Sequence, residues 1–234
     1  MSALTAIWNK EFKDYFLTPI AYMVIAVFLV IVGWFFFSTF FIKNQANMQE
    51  FFQLLPIVFA FVVPALTMRL ISEEISLGSY ELLGTLPVRP RHIILGKFLA
   101  CLCLIAAMLL PTLLYPLCID RVGDLDWGPV LGGYIGALLL GGAYAAIGML
   151  TSSLSRNQIV AFIVGAAVCF ALAYLKRMLF FMPETIQGVV DYLGAGSHFE
   201  NVAQGVLDIR DVIYFLSIVF LGLYATKLVL ESKE

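Results

Sequence analysis

The residues equipped for chemistry are few, and most of them sit between apolar runs. The densest group is SEEISLGSYELLGTLPVRPRHIILGK, residues 72–97. Ser72, Glu73 and Glu74 have the types expected at a helix start, where carboxylates complement the dipole and a hydroxyl caps free amides. Gly78 offers a hinge. A second short helix is predicted to carry Tyr80, Leu82, Leu83 and Leu86, and Pro87 and Pro90 forbid its simple continuation. A charged, hinged hairpin with this many apolar residues suits a segment that a separate protein pushes.

Other arrangements offer less. Ser197-His198 juxtaposes a hydroxyl and a base, but backbone neighbours seldom align for proton transfer, so a turn with Ser197 as helix cap is expected instead. Gly96-Lys97 is followed by Phe98, and Arg91 stands where a phosphate-binding loop needs its first glycine. The chain thus lacks a nucleotide loop, and any ATPase must be another chain. Cys101 and Cys103 are spaced i,i+2, which on a helix points the thiols apart, so a shared metal is not expected. Together with Cys118 and Cys169 they lie in or beside apolar sequence and are read as packing thiols.

The elements that position these residues follow from composition. Of 234 residues, 62% are hydrophobic and 13% charged, against about 25% charged in an ordinary soluble domain. Six charge-free stretches, about 19–42, 51–68, 98–119, 129–150, 158–175 and 212–226, each approach the length of a membrane-spanning helix. Their continuity argues for helices over barrel strands. The fold expected is an all-α, single-domain membrane protein over residues 1–234. None of these runs contains an ionisable residue, so a proton relay has no place in them and the driving energy is expected from outside the membrane. The net charge of -2 offers no basic surface for nucleic acid.

Residues 1–18 are expected to form an amphipathic helix in the membrane surface, with Leu4, Ile7, Trp8, Phe12, Tyr15 and Phe16 on one face. Of 14 basic residues, those at 10, 13, 69, 89, 91, 97, 156, 227 and 233 fall on one side if both termini are cytoplasmic, a moderate positive-inside bias. That assignment makes 69–97 cytoplasmic and 176–211 external. The latter is apolar enough to predict short external helices rather than a mobile loop. Gly132, Gly136 and their small neighbours allow close helix approach, read first as packing within the bundle.

At residues 72–97 the chain resembles the membrane subunit of type-2 ABC exporters, whose intracellular loop carries an acidic pair, Gly-Ser/Thr-x-Glu-x-Leu, Pro-Val and Gly-Lys. Here these are Glu73, Glu74, Gly78, Ser79, Glu81, Leu83, Pro87, Val88, Gly96 and Lys97. Within that family it is most similar to the gliding-motility-type permease through KEFKDYFLTPIAYMVIAVF, FFQLLPIVFAFVVPALTMRLISEE, SLSRNQIVAF and GVLDIRDVIYFLSIVFL. The resemblance implies six spans, an N-terminal elbow helix, and a coupling helix that docks on a separate ABC ATPase subunit. ATP and Mg would be bound there, with no catalytic site or cofactor in this chain. It also implies a second permease copy or a related permease, an optional auxiliary subunit with an extracytoplasmic domain, and the bacterial cytoplasmic membrane. The coupling contact is assigned to Glu73, Glu74, Gly78, Ser79, Tyr80, Glu81, Leu83, Leu86 and Pro87. Two functions fit: an ATP-driven export permease, or a non-transporting subunit that uses the same motion to act on an external partner.

Overall fold

The computed structural model describes residues 3–43, 47–78, 90–121, 123–178, 194–206 and 208–232. Every element among them is helical. The order is α1 (Ala3–Leu17), α2 (Pro19–Lys43), α3 (Gln49–Thr67), α4 (Arg69–Ser76), α5 (Pro90–Leu109), a 3-10 turn (Leu110–Leu113), α6 (Leu114–Ile119), α7 (Trp127–Leu154), α8 (Gln158–Met178), α9 (Ala195–Ala203) and α10 (Ile209–Glu231). Six helical stretches are long and apolar enough to cross a membrane: Pro19–Phe40, Gln49–Ser76, Pro90–Ile119, Trp127–Leu154, Gln158–Leu175 and Ile209–Glu231. Because they are joined in series, α4, the start of α5 and the end of α7 lie at one end of the bundle. The start of α3, the end of α8 and α9 lie at the other.

Local signals explain several boundaries. Pro90 opens α5, where its missing N–H is harmless. Asp126 caps α7 by accepting from the Gly128 amide at 3.0 Å, and Asp208 caps α10 by accepting from the Arg210 amide at 3.0 Å. Gly78, at φ 69°, follows the end of α4 in the left-handed conformation that closes helices.

The central rod is α7, with 72% of its most apolar window buried, against 28% for α2, 22% for α8 and 17% for α10. Those three turn apolar side chains such as Val30, Trp34, Ile163 and Phe220 outward, as hydrocarbon solvent permits. Small residues let α7 sit centrally. A Cβ at Gly132 would lie 2.5 Å from the Val202 carbonyl oxygen, and one at Gly136 would lie 2.9 Å from Val202 Cγ1. The GxxxG face therefore receives α9 of the same chain, the intrachain packing expected from the sequence. At the α9 end of the bundle, Phe36 stacks on Tyr115 with centroids 5.6 Å apart and meets Phe51 edge-on at 6.0 Å, so Phe36 is buried while its neighbours Trp34 and Phe35 face outward.

Several expectations need correction. Ser72, Glu73 and Glu74 do not start a helix: α4 begins at Arg69 and continues the rod of span two, which leaves the carboxylates in its last turns. The helices also overrun the charge-free runs, so Lys97 and Asp211 are buried inside helices long enough to span. Ser197 does not cap α9; its hydroxyl donates to the Gly194 carbonyl at 2.8 Å, and the cap residue is Gly194. All four cysteines are free, but Cys118, on the peripheral α6, is exposed and Cys103 is half-buried. Within 176–211, α9 is a short helix packed on α7 and α8, while residues 179–193 lie outside the described residues.

Candidate functional site

Three elements converge on one ammonium group. Lys97, about two turns into α5, is 3% exposed, and its Nζ lies 2.7 Å from Glu74 Oε1 and 3.0 Å from Glu11 Oε1. Glu74 comes from α4 and Glu11 from α1, so one cation clasps the N-terminal helix to span two and span three. A carboxylate in the last turn of a helix faces the negative end of the dipole. Glu74 is stabilised there by the lysine, and the lysine by two charge-assisted hydrogen bonds.

Close backbone approach makes the reach of Glu11 short enough. A Cβ at Gly96 would lie 2.8 Å from Ile7 Cγ2 and 3.3 Å from the Trp8 amide nitrogen, so α1 can lie directly on α5 only because residue 96 is glycine. Tyr15 fixes the other end of α1: its hydroxyl donates to the Leu66 carbonyl at 3.3 Å, and the Arg69 guanidinium sits 5.6 Å from its ring centroid. Burial holds the Tyr15 phenol well above its ordinary pKa.

Span two breaks beside this clasp, and the break has an identifiable cause. Pro64 lies inside α3. One turn later the hydroxyl of Ser152, from α7, accepts from the amides of Ile71 at 3.2 Å and Ser72 at 3.0 Å, and donates to the Met68 carbonyl at 2.8 Å. Ser72 Oγ also donates to Met68 O. The hydroxyl thus satisfies backbone groups just after the junction between α3 and α4, whose one intervening residue, Met68, keeps a helical backbone. The turn that carries Glu73 and Glu74 is thereby hung on the central rod.

Both members of the acidic pair foreseen from the sequence are half-buried and line one cleft of about 350 Å³, together with Lys10, Glu11, Asp14, Arg69, Leu77 and Lys97. Glu74 is ion-paired to Lys97 there. Gly78 follows the end of α4. Ser79, Tyr80, Glu81, Leu83, Leu86 and Pro87 lie outside the described residues. Sequence reasoning missed Glu11, the role of Lys97, and Ser152. The available signal was a lysine seven residues past a helix-opening proline, in phase with apolar neighbours that predict burial.

The α9 end holds a second buried pair. His198 Nδ1 lies 2.6 Å from Asp211 Oδ1, tying α9 to α10, and the imidazole stacks on Tyr214 at 4.0 Å. Asp211 Oδ2 is buried with no hydrogen-bond partner among the described residues. Ser197 is turned to the backbone, so the pair lacks the neighbouring nucleophile that Ser197-His198 suggests in sequence. No cluster of three or more His, Cys, Asp or Glu suited to a metal occurs among the described residues.

Six apolar helices, one of them a small-residue rod at the centre, with a charged clasp at one end, define a polytopic helical membrane protein. Residues 43–194 match the family model described as ABC-2 family transporter protein, and the chain belongs to that family. It is the membrane-spanning component of an ABC transporter, a class that works with an ABC ATPase subunit and is not itself the catalytic chain. The matched stretch includes Glu74, Lys97 and Ser152 but not Glu11 or Asp211. No curated protein matches the chain significantly.

Proposed function

We propose that this chain is the permease subunit of an ATP-driven export complex, and that the α4 end is where a separate ATPase drives it. The supporting observation is the Lys97 clasp beside the Ser152 anchor. A push on the segment after Ser76 moves a turn bonded to α5 and α7, and through Lys97 to α1. Half-buried Glu73 and the 73%-exposed Leu77 line the cleft at that turn, which gives a docking ATPase an acidic and an apolar handhold. The remaining contact residues are Gly78, Ser79, Tyr80, Glu81, Leu83, Leu86 and Pro87.

On this reading α1 is the elbow helix, both termini and residues 69–97 are cytoplasmic, and the chain lies in a bacterial cytoplasmic membrane. A second permease copy or a related chain completes the pathway, and the quoted motifs favour the gliding-motility-type subgroup, whose auxiliary subunit would meet the α9 end. The alternative, mechanical action on an extracytoplasmic partner, draws support from one contact. The rod that Ser152 hangs on is the rod on which α9 sits, so motion at one end has a stiff route to the other.

A photo-crosslinking residue at Leu77 in the assembled complex should capture the ATPase subunit, and one at Trp127 should not. Capture from Trp127 with none from Leu77 would overturn the docking assignment.

A further inference from the structure

Next to the Ser152 anchor, spans two, four and five meet more closely than most side chains allow. A Cβ at Gly148 of α7 would lie 3.0 Å from Thr67 Cβ of α3, and nearer still to its hydroxyl. Three residues further along α7 the roles reverse. A Cβ at Gly165 of α8 would lie 2.8 Å from Thr151 Oγ1 and 3.4 Å from Pro64 Cβ of α3. Two threonines are thus seated in two glycine notches, the first joining α3 to α7 and the second joining α7 to α8.

Both threonines act by shape. They are 0% and 7% exposed, and each hydroxyl is satisfied within its own helix: Thr67 donates to the Val63 carbonyl at 3.1 Å and Thr151 to the Gly148 carbonyl at 3.0 Å. A short, branched side chain in a notch of this depth has no second rotamer to slide into, so the contact resists shear between the helices. Ser152 follows at once and bonds α4. Between Gly148 and Ser152, about 6 Å of helix, the central rod is fastened to α3, α4 and α8. The same two helices, α7 and α8, seat α9 at the far end: Cβ atoms at Gly132 and Gly196 would each lie 2.5 Å from a carbonyl oxygen, of Val202 and Ala173 respectively.

We propose that Thr67 and Thr151 are positioning residues for coupling: they lock spans two, four and five into one body, so that displacement of α4 reaches α9 through α7 and α8 together. The transmission rests on an ATPase docking at α4, but the lock itself can be tested in the chain alone.

The first arm is complementation. In a fixed detergent Gly148→Ala should unfold at lower denaturant concentration, because its methyl meets Thr67. Adding Thr67→Ala removes the colliding hydroxyl and leaves a 3.0 Å approach that a few tenths of an ångström relieves, so the pair should be more stable than Gly148→Ala by itself. A pair no better than that single variant overturns the lock. The second arm uses the reconstituted complex with Cys103→Ser and Cys118→Ser, which leaves only buried native thiols. Spin labels at Ser76 of α4 and Ile159 of α8 should keep the same separation in the nucleotide-free and vanadate-trapped states. In Thr67→Ala/Thr151→Ala that separation should become nucleotide-dependent and coupled hydrolysis should fall about 2–30-fold at unchanged assembly. Thr67→Ser/Thr151→Ser, which keeps a hydroxyl in each notch, should match the parent. A separation that changes with nucleotide in the parent, or an alanine pair with fixed separation and full hydrolysis, overturns the proposal. Hydrolysis insensitive to both Leu77→Asp and Glu73→Lys removes the docking reading, and the transmission with it, whatever the complementation shows.

Discussion

Replacing Lys97 by Met keeps a flexible apolar stem of similar length and removes only the ammonium. The structure sets the consequence. Glu74 and Glu11, whose side chains are 18% and 13% exposed, are left facing each other around a vacated cation position. Removing one partner of a buried pair costs about 3–5 kcal/mol because the survivor stays desolvated. Two survivors repel each other, but their residual access to the cleft pulls the figure toward the lower bound, about 3 kcal/mol. Glu74→Gln or Glu11→Gln alone should cost less, about 1.5–3 kcal/mol, since the lysine keeps one carboxylate. The diagnostic variant is the triple change Lys97→Met, Glu11→Gln, Glu74→Gln. With every charge removed, stability should return to within about 1 kcal/mol of the unaltered chain. Denaturant unfolding in a fixed detergent, compared as a rank order across the set, reads this out. A Lys97→Met chain as stable as the parent, or a triple variant no better than the single one, would refute the clasp.

Ser152→Ala should cost about 1–3 kcal/mol, because the Ile71 and Ser72 amides and the Met68 carbonyl lose the hydroxyl they share. Denaturant unfolding in a fixed detergent reads this out, and unchanged stability would count against the anchoring role of Ser152. Reporter fusions after Ala46, Gly123 and Glu200 should read external, and those after Gly84, Leu154 and Glu234 internal. An internal signal at Glu200 contradicts the orientation.

The bundle was legible because lipid imposes a simple rule: continuous apolar runs must be helices. The runs in turn predict their own length, and every one of the six lies within a helix long enough to span. Helix ends were less legible. Ser72 to Glu74 reads as the start of a new helix because an acidic pair favours a first turn, yet Lys97, distant in sequence, stabilises Glu74 near the end of α4 by charge. Glu11 drew no reading of its own, and nothing local says that Gly96 lets α1 lie close enough for it to reach Lys97. Ser152 sits among small residues with no motif around it, and its role exists only because Pro64 weakens a helix on another span. The Gly132/Gly136 face was readable as a packing surface, but its occupant, α9, was fixed by tertiary structure. In each missed case the information resides in a pairing between distant segments.

Coupled ATP hydrolysis by the reconstituted complex is the most direct test of where the ATPase acts, because the proposed docking side chains, Glu73 and Leu77, are not partners in the Lys97 clasp. Glu73→Lys alters the outward carboxylate and leaves Lys97, Glu74 and Glu11 in place. The account predicts that this variant inserts and assembles normally while coupled hydrolysis falls about tenfold or more, the loss of one charge-assisted contact, and that Leu77→Asp does the same. Unchanged coupled hydrolysis in both variants would contradict it.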